Sequence, residues 1–364
     1  LDRDDGRVRT PRWLRSRLLW AFVAGWLPTL TLPRASLWWL VYVALIPLLL
    51  LARTAPDARS AAFRGWLWGA GFILGMYHWL LPNLHVFLLG VAATLGLFWL
   101  AWAVLAWHLL RDPLTAGRTV AALTALPAAT TVLELAMSWD RLGGPWALLG
   151  SSQWNVPPVR ALAALGGPWL ISAFIVLVNV AVLLAMVGGP RLRGYPAAAA
   201  AIAIGGVAAW AIAMPDPSGS GVLRVAVVQP GVVHNPTARF DAGATLTRQL
   251  TADQALDLVV WAESGIGFDL DERPDLRAEL TMLSRQTGAP LLVNVDARRG
   301  GRGGIYKSSI LLGPDGQELA RYDKRRLVPF GEDIPMRPLL GWIGRLSEAA
   351  AEDRRRGTGP DRRS

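Results

Sequence analysis

The chain of 364 residues contains no cysteine. That absence excludes disulfides, thiolate metal sites and a cysteine nucleophile from these residues. Histidine is scarce: His78, His85, His108 and His234 are the four, and none pairs with a carboxylate at helical spacing. No metal is therefore expected. There is no G-x-x-x-x-G-K-[ST] loop, no paired zinc motif and no G-x-S-x-G. No glycine run follows a strand and opens a helix, as a dinucleotide site requires, so no cofactor is expected. The net charge is +10, yet the basic residues form no stripe interleaved with aromatics. Nucleic acid is not an expected partner.

Apolar residues, by contrast, make up 52% of the chain, and the mean hydropathy is +0.33. The excess lies before residue 215. Seven candidate membrane spans stand there, at about 18–32, 35–51, 63–81, 86–110, 120–137, 169–187 and 196–214. Most approach the ~20 residues that a bilayer demands. The first also has the composition of a signal-peptide core. No small-residue cleavage site follows it and further spans do, so it is read as a membrane helix. Trp38, Trp39, Trp66, Trp68 and Trp79 lie near span ends, where interfacial anchors belong.

The basic residues set the orientation. With the N-terminus inside, thirteen arginines fall in inner segments: six in the tail 1–17, then Arg53, Arg59, Arg64, Arg111, Arg118, Arg191 and Arg193. Three fall outside: Arg34, Arg141 and Arg160. The positive-inside rule then makes 1–17 a cytoplasmic basic tail and 18–214 a transmembrane domain. Everything from residue 215 onward is expected on the outer face. Glu134 is the one acid well inside a span. It is read either as facing lipid or a gate, or as a buried carboxyl that is protonated or paired with Arg141 or Arg160.

Residues 215–222 are a linker by composition, and 223–364 read as an α/β domain. Strands are expected at 223–229, 257–262, 290–295, 308–312 and 318–322. Helices are expected at about 240–255 and 275–287. Pro314-Asp315-Gly316 marks a hairpin turn.

Two stretches carry chemistry. Leu258-Val259-Val260-Trp261-Ala262-Glu263-Ser264 is an apolar strand that ends in a carboxylate. Tyr322-Asp323-Lys324 closes a strand, and Leu327-Val328-Pro329-Phe330-Gly331 leads on to Glu332. Pro329 and Gly331 forbid a continuous helix, so Lys324 and Glu332 sit on irregular backbone. Charges flanking an apolar loop are ordinary on surfaces; a Glu at the mouth of a buried strand and a Lys on a loop are also half of an acid–base site.

These stretches resemble the nitrilase superfamily, and the run Arg321-Tyr322-Asp323-Lys324 to Leu327-Val328-Pro329-Phe330-Gly331-Glu332 resembles its membrane branch, the apolipoprotein N-acyltransferases. Gly144-Pro145-Trp146, Gly150-Ser151-Ser152-Gln153 and Gly166-Gly167-Pro168-Trp169 extend the resemblance into the membrane half. The resemblance implies a multi-span α-helical membrane domain followed by a partial nitrilase-type α-β-β-α sandwich. It implies Glu263 as general base, Lys324 as oxyanion stabiliser and Glu332 as a residue orienting the Lys or the nucleophile. It implies a phospholipid acyl donor, phosphatidylethanolamine, and a diacylglyceryl apolipoprotein acceptor, joined through a thioacyl-enzyme at the bacterial inner membrane.

The nucleophilic cysteine of that family falls beyond Ser364. The chain is thus expected to be C-terminally truncated, its last domain incomplete, and inactive as it stands. The alternative is a non-catalytic membrane protein that binds lipid or lipoprotein. Ala262 stands where the family carries Pro, and Lys307 where it carries Asn. Ser264, beside the base, is expected to point to the opposite face of an extended strand.

Overall fold

A computed structural model describes residues 12–139, 142, 144–214, 219–297, 304–328, 332 and 354–358. The chain divides into two compact units, Leu1–Asp216 and Pro217–Ser364.

The first unit is helical: α1 (Arg12–Ala24), α2 (Ile46–Arg53), α3 (Ala58–Met76), α4 (Leu81–Leu84), α5 (Phe87–Gly96), α6 (Phe98–Leu110), α7 (Ala116–Met137), α8 (Pro157–Arg160), α9 (Ala163–Val187) and α10 (Gly194–Ala213). Helix starts follow local chemistry. The Asp57 side chain accepts the Ser60 amide at the head of α3, and Thr115 accepts that of Arg118 at the head of α7. In α9, Gly166 and Gly167 leave helical geometry ahead of Pro168, so its membrane stretch starts at about that proline.

Among the described residues, four apolar helical stretches are long enough to cross a membrane: α5 with α6 (Phe87–Leu110), α7 (Ala116–Met137), α9 (Ala163–Val187) and α10 (Gly194–Ala213). The sequence suggests seven. Three candidates differ among the described residues. The 18–32 run splits into α1 and a 3-10 turn at Leu27–Thr31, which opens on Pro28. The 35–51 run splits into a 3-10 turn at Trp38–Tyr42 and the short α2, whose first turn holds Pro47. In both, proline lacks the N–H that would continue a helix through it. The third, 63–81, lies largely in α3, whose N-terminal part carries Arg59 and Arg64. Arg64 is buried there and donates to Leu51 O at 2.7 Å.

Non-helical backbone at membrane depth must find its hydrogen bonds within protein. Three buried side chains supply them. Glu134 Oε1 accepts the Leu149 amide at 2.9 Å, and Ser172 Oγ accepts that of Gly150 at 2.8 Å. Asn179 accepts the Leu45 amide and donates to Val41 O. Glu134 is not bonded to Arg160, which donates to Trp154 O; Arg141 lies outside the described residues.

The second unit is a five-stranded sheet in sequence order: β1 (Val225–Val228), β2 (Leu258–Trp261), β3 (Leu291–Ala297), β4 (Tyr306–Leu312) and β5 (Glu318–Asp323). β1, β2 and β3 run parallel, and β3, β4 and β5 antiparallel. The parallel steps cross over through α11 (Pro236–Arg248) and α12 (Pro274–Thr287). Both helices pack one face: Phe240, Ala244, Leu280 and Leu283 meet Val228, Val259, Trp261, Val293 and Ile310. The opposite face is less covered, and Val227 on β1 is 70% exposed.

α11 sits four residues earlier than its apolar spacing suggests. Asn235 caps it, accepting the Ala238 amide, and Pro236 opens its first turn. It ends before Leu250, and Ala255 has φ +49°. The hairpin lies where Pro314-Asp315-Gly316 puts it. Gly316 has φ +85°, and Asp315 Oδ1 accepts the Gln317 amide.

Candidate active site

The site grows from one end of this sheet. β2 stops at Trp261, and the chain turns through Glu263 and Ser264 instead of continuing extended. Ser264 has φ +55°, a left-handed conformation. The turn is held from β3: Asn294 Oδ1 accepts the Ser264 amide at 2.9 Å, and Asn294 O accepts that of Ile266 at 3.0 Å. The expectation that Ser264 points away from the site on an extended strand is therefore wrong. Its hydroxyl accepts a hydrogen bond from Lys307 Nζ at 2.7 Å.

Lys324 follows β5 directly. Its amide donates to Lys307 O at 2.8 Å, and its carbonyl accepts the Gly357 amide at 3.0 Å. The Lys324 backbone is thus pinned from two sides. Its ammonium reaches two carboxylates, Glu332 at 3.0 Å and Glu263 Oε1 at 3.4 Å. Glu332 Oε2 also accepts the Val328 amide at 2.9 Å, and the Glu332 amide donates to Val328 O at 2.8 Å. Residues Pro329, Phe330 and Gly331 between them lie outside the described residues.

The two carboxylates differ in setting. The Glu332 side chain is 13% exposed and the Glu263 side chain 70%, so apolar walls do not enclose Glu263 in this structure. Partial burial pulls the Lys324 ammonium down. The bond to Glu332 and the charges of Glu332 and Glu263 outweigh it and hold Lys324 above the ordinary lysine value.

All three residues singled out from the sequence therefore meet within one hydrogen-bonded group. Sequence reasoning missed a second layer behind them. Lys307, 5% exposed, donates to Asp296 Oδ1 at 2.6 Å as well as to Ser264. Arg354 Nη1 reaches the same Asp296 oxygen at 3.3 Å. Burial pulls Lys307 below the ordinary lysine value against the pull of Asp296. One signal was available in the sequence: Lys307 and Lys324 are the two lysines of the chain, and every other member of its 37 lysines and arginines is arginine. Among the described residues no group of three His, Asp or Glu side chains is placed to hold a metal ion.

The arrangement offers a fixed ammonium beside an accessible carboxylate, a pairing suited to stabilising an oxyanion while moving a proton. Residues 24–181 match the family model described as apolipoprotein N-acyltransferase N-terminal domain, and residues 224–340 match that of carbon-nitrogen hydrolase. The chain is 31% identical to the apolipoprotein N-acyltransferase of Azotobacter vinelandii, over 92% of this chain and 67% of that protein. It is 28% identical to that of Geobacter metallireducens, over 94% of this chain and 70% of the relative. Among solved structures, a CN-hydrolase superfamily protein from Xanthomonas campestris is 28% identical over 30% of this chain and 43% of its own, with a TM-score of 0.26. The chain thus spans about two thirds of the curated relatives named here, across both its membrane unit and its α/β unit, and it belongs to the apolipoprotein N-acyltransferase family.

Proposed function

We propose that this chain serves lipoprotein N-acylation at the bacterial inner membrane. In this reading an acyl chain passes from phosphatidylethanolamine to the α-amino group of a diacylglyceryl-cysteine apolipoprotein. One observation carries the proposal: Lys324 Nζ stands between Glu332 at 3.0 Å and Glu263 at 3.4 Å in a chain of this family.

The roles follow from the geometry. Glu332 is more deeply buried, and its two oxygens are committed to Lys324 and the Val328 amide. It orients the ammonium. Glu263 is exposed and makes the longer bond, so it is the carboxylate free to move a proton. It takes the proton of a cysteine thiol, and the thiolate attacks the ester carbonyl. Lys324 stabilises the oxyanion that forms. Collapse gives the thioester, and the leaving alcohol takes the proton back from Glu263. The acceptor amine then attacks the thioester, yields the amide and returns the thiol. That thiol is not among these 364 residues. The second reading is a membrane protein that binds lipid or lipoprotein without catalysis.

The test joins this chain to the C-terminal third of the Azotobacter vinelandii relative. The chimera, in mixed micelles of detergent and phosphatidylethanolamine with a diacylglyceryl peptide, is expected to make N-acylated peptide. Glu263→Gln and Lys324→Met should each lower the rate by about 10²-fold or more. The 364-residue chain alone is expected to make none. A folded chimera without product supports the non-catalytic reading; product from the unjoined chain overturns the assigned role of cysteine.

A further inference from the structure

Lysine is the rarest basic choice in this chain, and both lysines are in one site. Arginine is planar and forked, whereas lysine carries a compact ammonium with three donors. Where arginine serves everywhere else, two lysines in one site point to places that suit the smaller group.

Lys307 reaches both halves of the site. Its carbonyl accepts the amide of Lys324 at 2.8 Å. Its ammonium spans the β3–β4 pair to Asp296 at 2.6 Å and reaches Ser264 Oγ at 2.7 Å. Ser264 is the residue after Glu263, in the left-handed turn that carries the carboxylate out of β2. Asp296 is further anchored by Arg354. The ammonium donates to Ser264, so it holds that hydroxyl in place.

We infer that Lys307 is a positioning residue: it sets the spacing of Glu263 and Lys324 by gripping the turn behind one and the backbone of the other. The inference rests on the reading of those two as the working pair. A purely architectural Lys307–Asp296 bridge would stabilise the sheet and leave the chemistry of Lys324 unchanged.

Because only two lysines are present, amine labelling reads them separately. The full 364-residue chain in detergent is treated at pH 9 with trace isotopic acetic anhydride, and each lysine peptide is quantified against the α-amino group. Glu263→Gln removes a neighbouring negative charge and defines the scale. Lys324 should then label roughly threefold faster, about half a pH unit and the size expected of an exposed pair. Lys307→Met and Ser264→Ala should each give the same rise, and neither should add to Glu263→Gln. Ser264→Ala leaves the ion pair with Asp296 in place, so it serves if Lys307→Met misfolds. Wild-type labelling in both variants, with a faster Glu263→Gln, overturns the inference and leaves the proposed function standing. If Glu263→Gln itself labels at the wild-type rate, there is no coupled pair to space, and both readings fall.

Discussion

Glu332 binds Lys324 and the backbone of its own loop at once. One face of the carboxylate takes the ammonium at 3.0 Å, and Oε2 takes the Val328 amide at 2.9 Å. Val328 and Glu332 are thereby tied together beside the ammonium. Glu332→Gln should cost the α/β unit about 1.5–3 kcal/mol, the value of a charge-assisted hydrogen bond. The sign with pH is fixed by the raised Lys324. Its contribution is complete below the ordinary lysine value of about 10.4 and disappears as pH rises through the higher folded value. Urea melts of wild type and Glu332→Gln should differ at pH 8 and converge in strong alkali. A constant gap would mean that the lost stability is not the ion pair's.

At the far end of β5 the reverse holds. Arg321 binds Glu318 at 2.7 Å, with Arg277 at 3.2 Å behind it. The Arg321 bond, more than burial opposes it, holds the Glu318 carboxyl below the usual range. Its contribution is present above the unfolded value of about 4.3 and is lost as pH falls through the folded one. Glu318→Gln should therefore be about 1–3 kcal/mol less stable at pH 7, and the gap should close as pH falls through the lowered folded value. Thermal melts over an acid pH series decide it.

Glu134 acts in the membrane unit as an acceptor for backbone that no helix satisfies. Glu134→Ala strands the Leu149 amide and should lower stability in detergent by about 1–3 kcal/mol. Glu134→Gln keeps an oxygen there and should lose less than half of that. If the two variants melt alike, the hydrogen bond to Leu149 does not carry the role of this residue.

Counted over the seven spans read from the sequence, the distribution of arginines predicts that the α/β unit lies outside the cytoplasm. Alkaline phosphatase fused after Gly221 should be active. A fluorescent protein fused there, bright in the cytoplasm, would reverse the assignment.

Local chemistry made much of the α/β unit legible. The apolar run Leu258–Trp261 is β2, the Pro314-Asp315-Gly316 turn joins β4 to β5, and Glu263, Lys324 and Glu332 meet in space. Hidden features depend on tertiary context. The positive φ of Ser264 has no glycine to announce it. The bridge from Lys307 to Asp296 exists because the β3–β4 register sets those two residues opposite each other, and one residue of slip would send them to opposite faces. In the membrane unit composition marked apolar runs, but Pro28 and Pro47 divide two of them into short pieces.

β1 has a further consequence for anyone handling the α/β unit by itself. It is the outermost strand, paired along one side to β2, and among the described residues no strand lies along its other side. Val225 and Val227 stand exposed on it, and no charge interrupts Val225–Val228. A bare apolar edge is a template for another copy of itself. Separated from the rest of the chain, this unit should self-associate edge to edge as concentration rises, and a single lysine at position 227 should keep the copies apart.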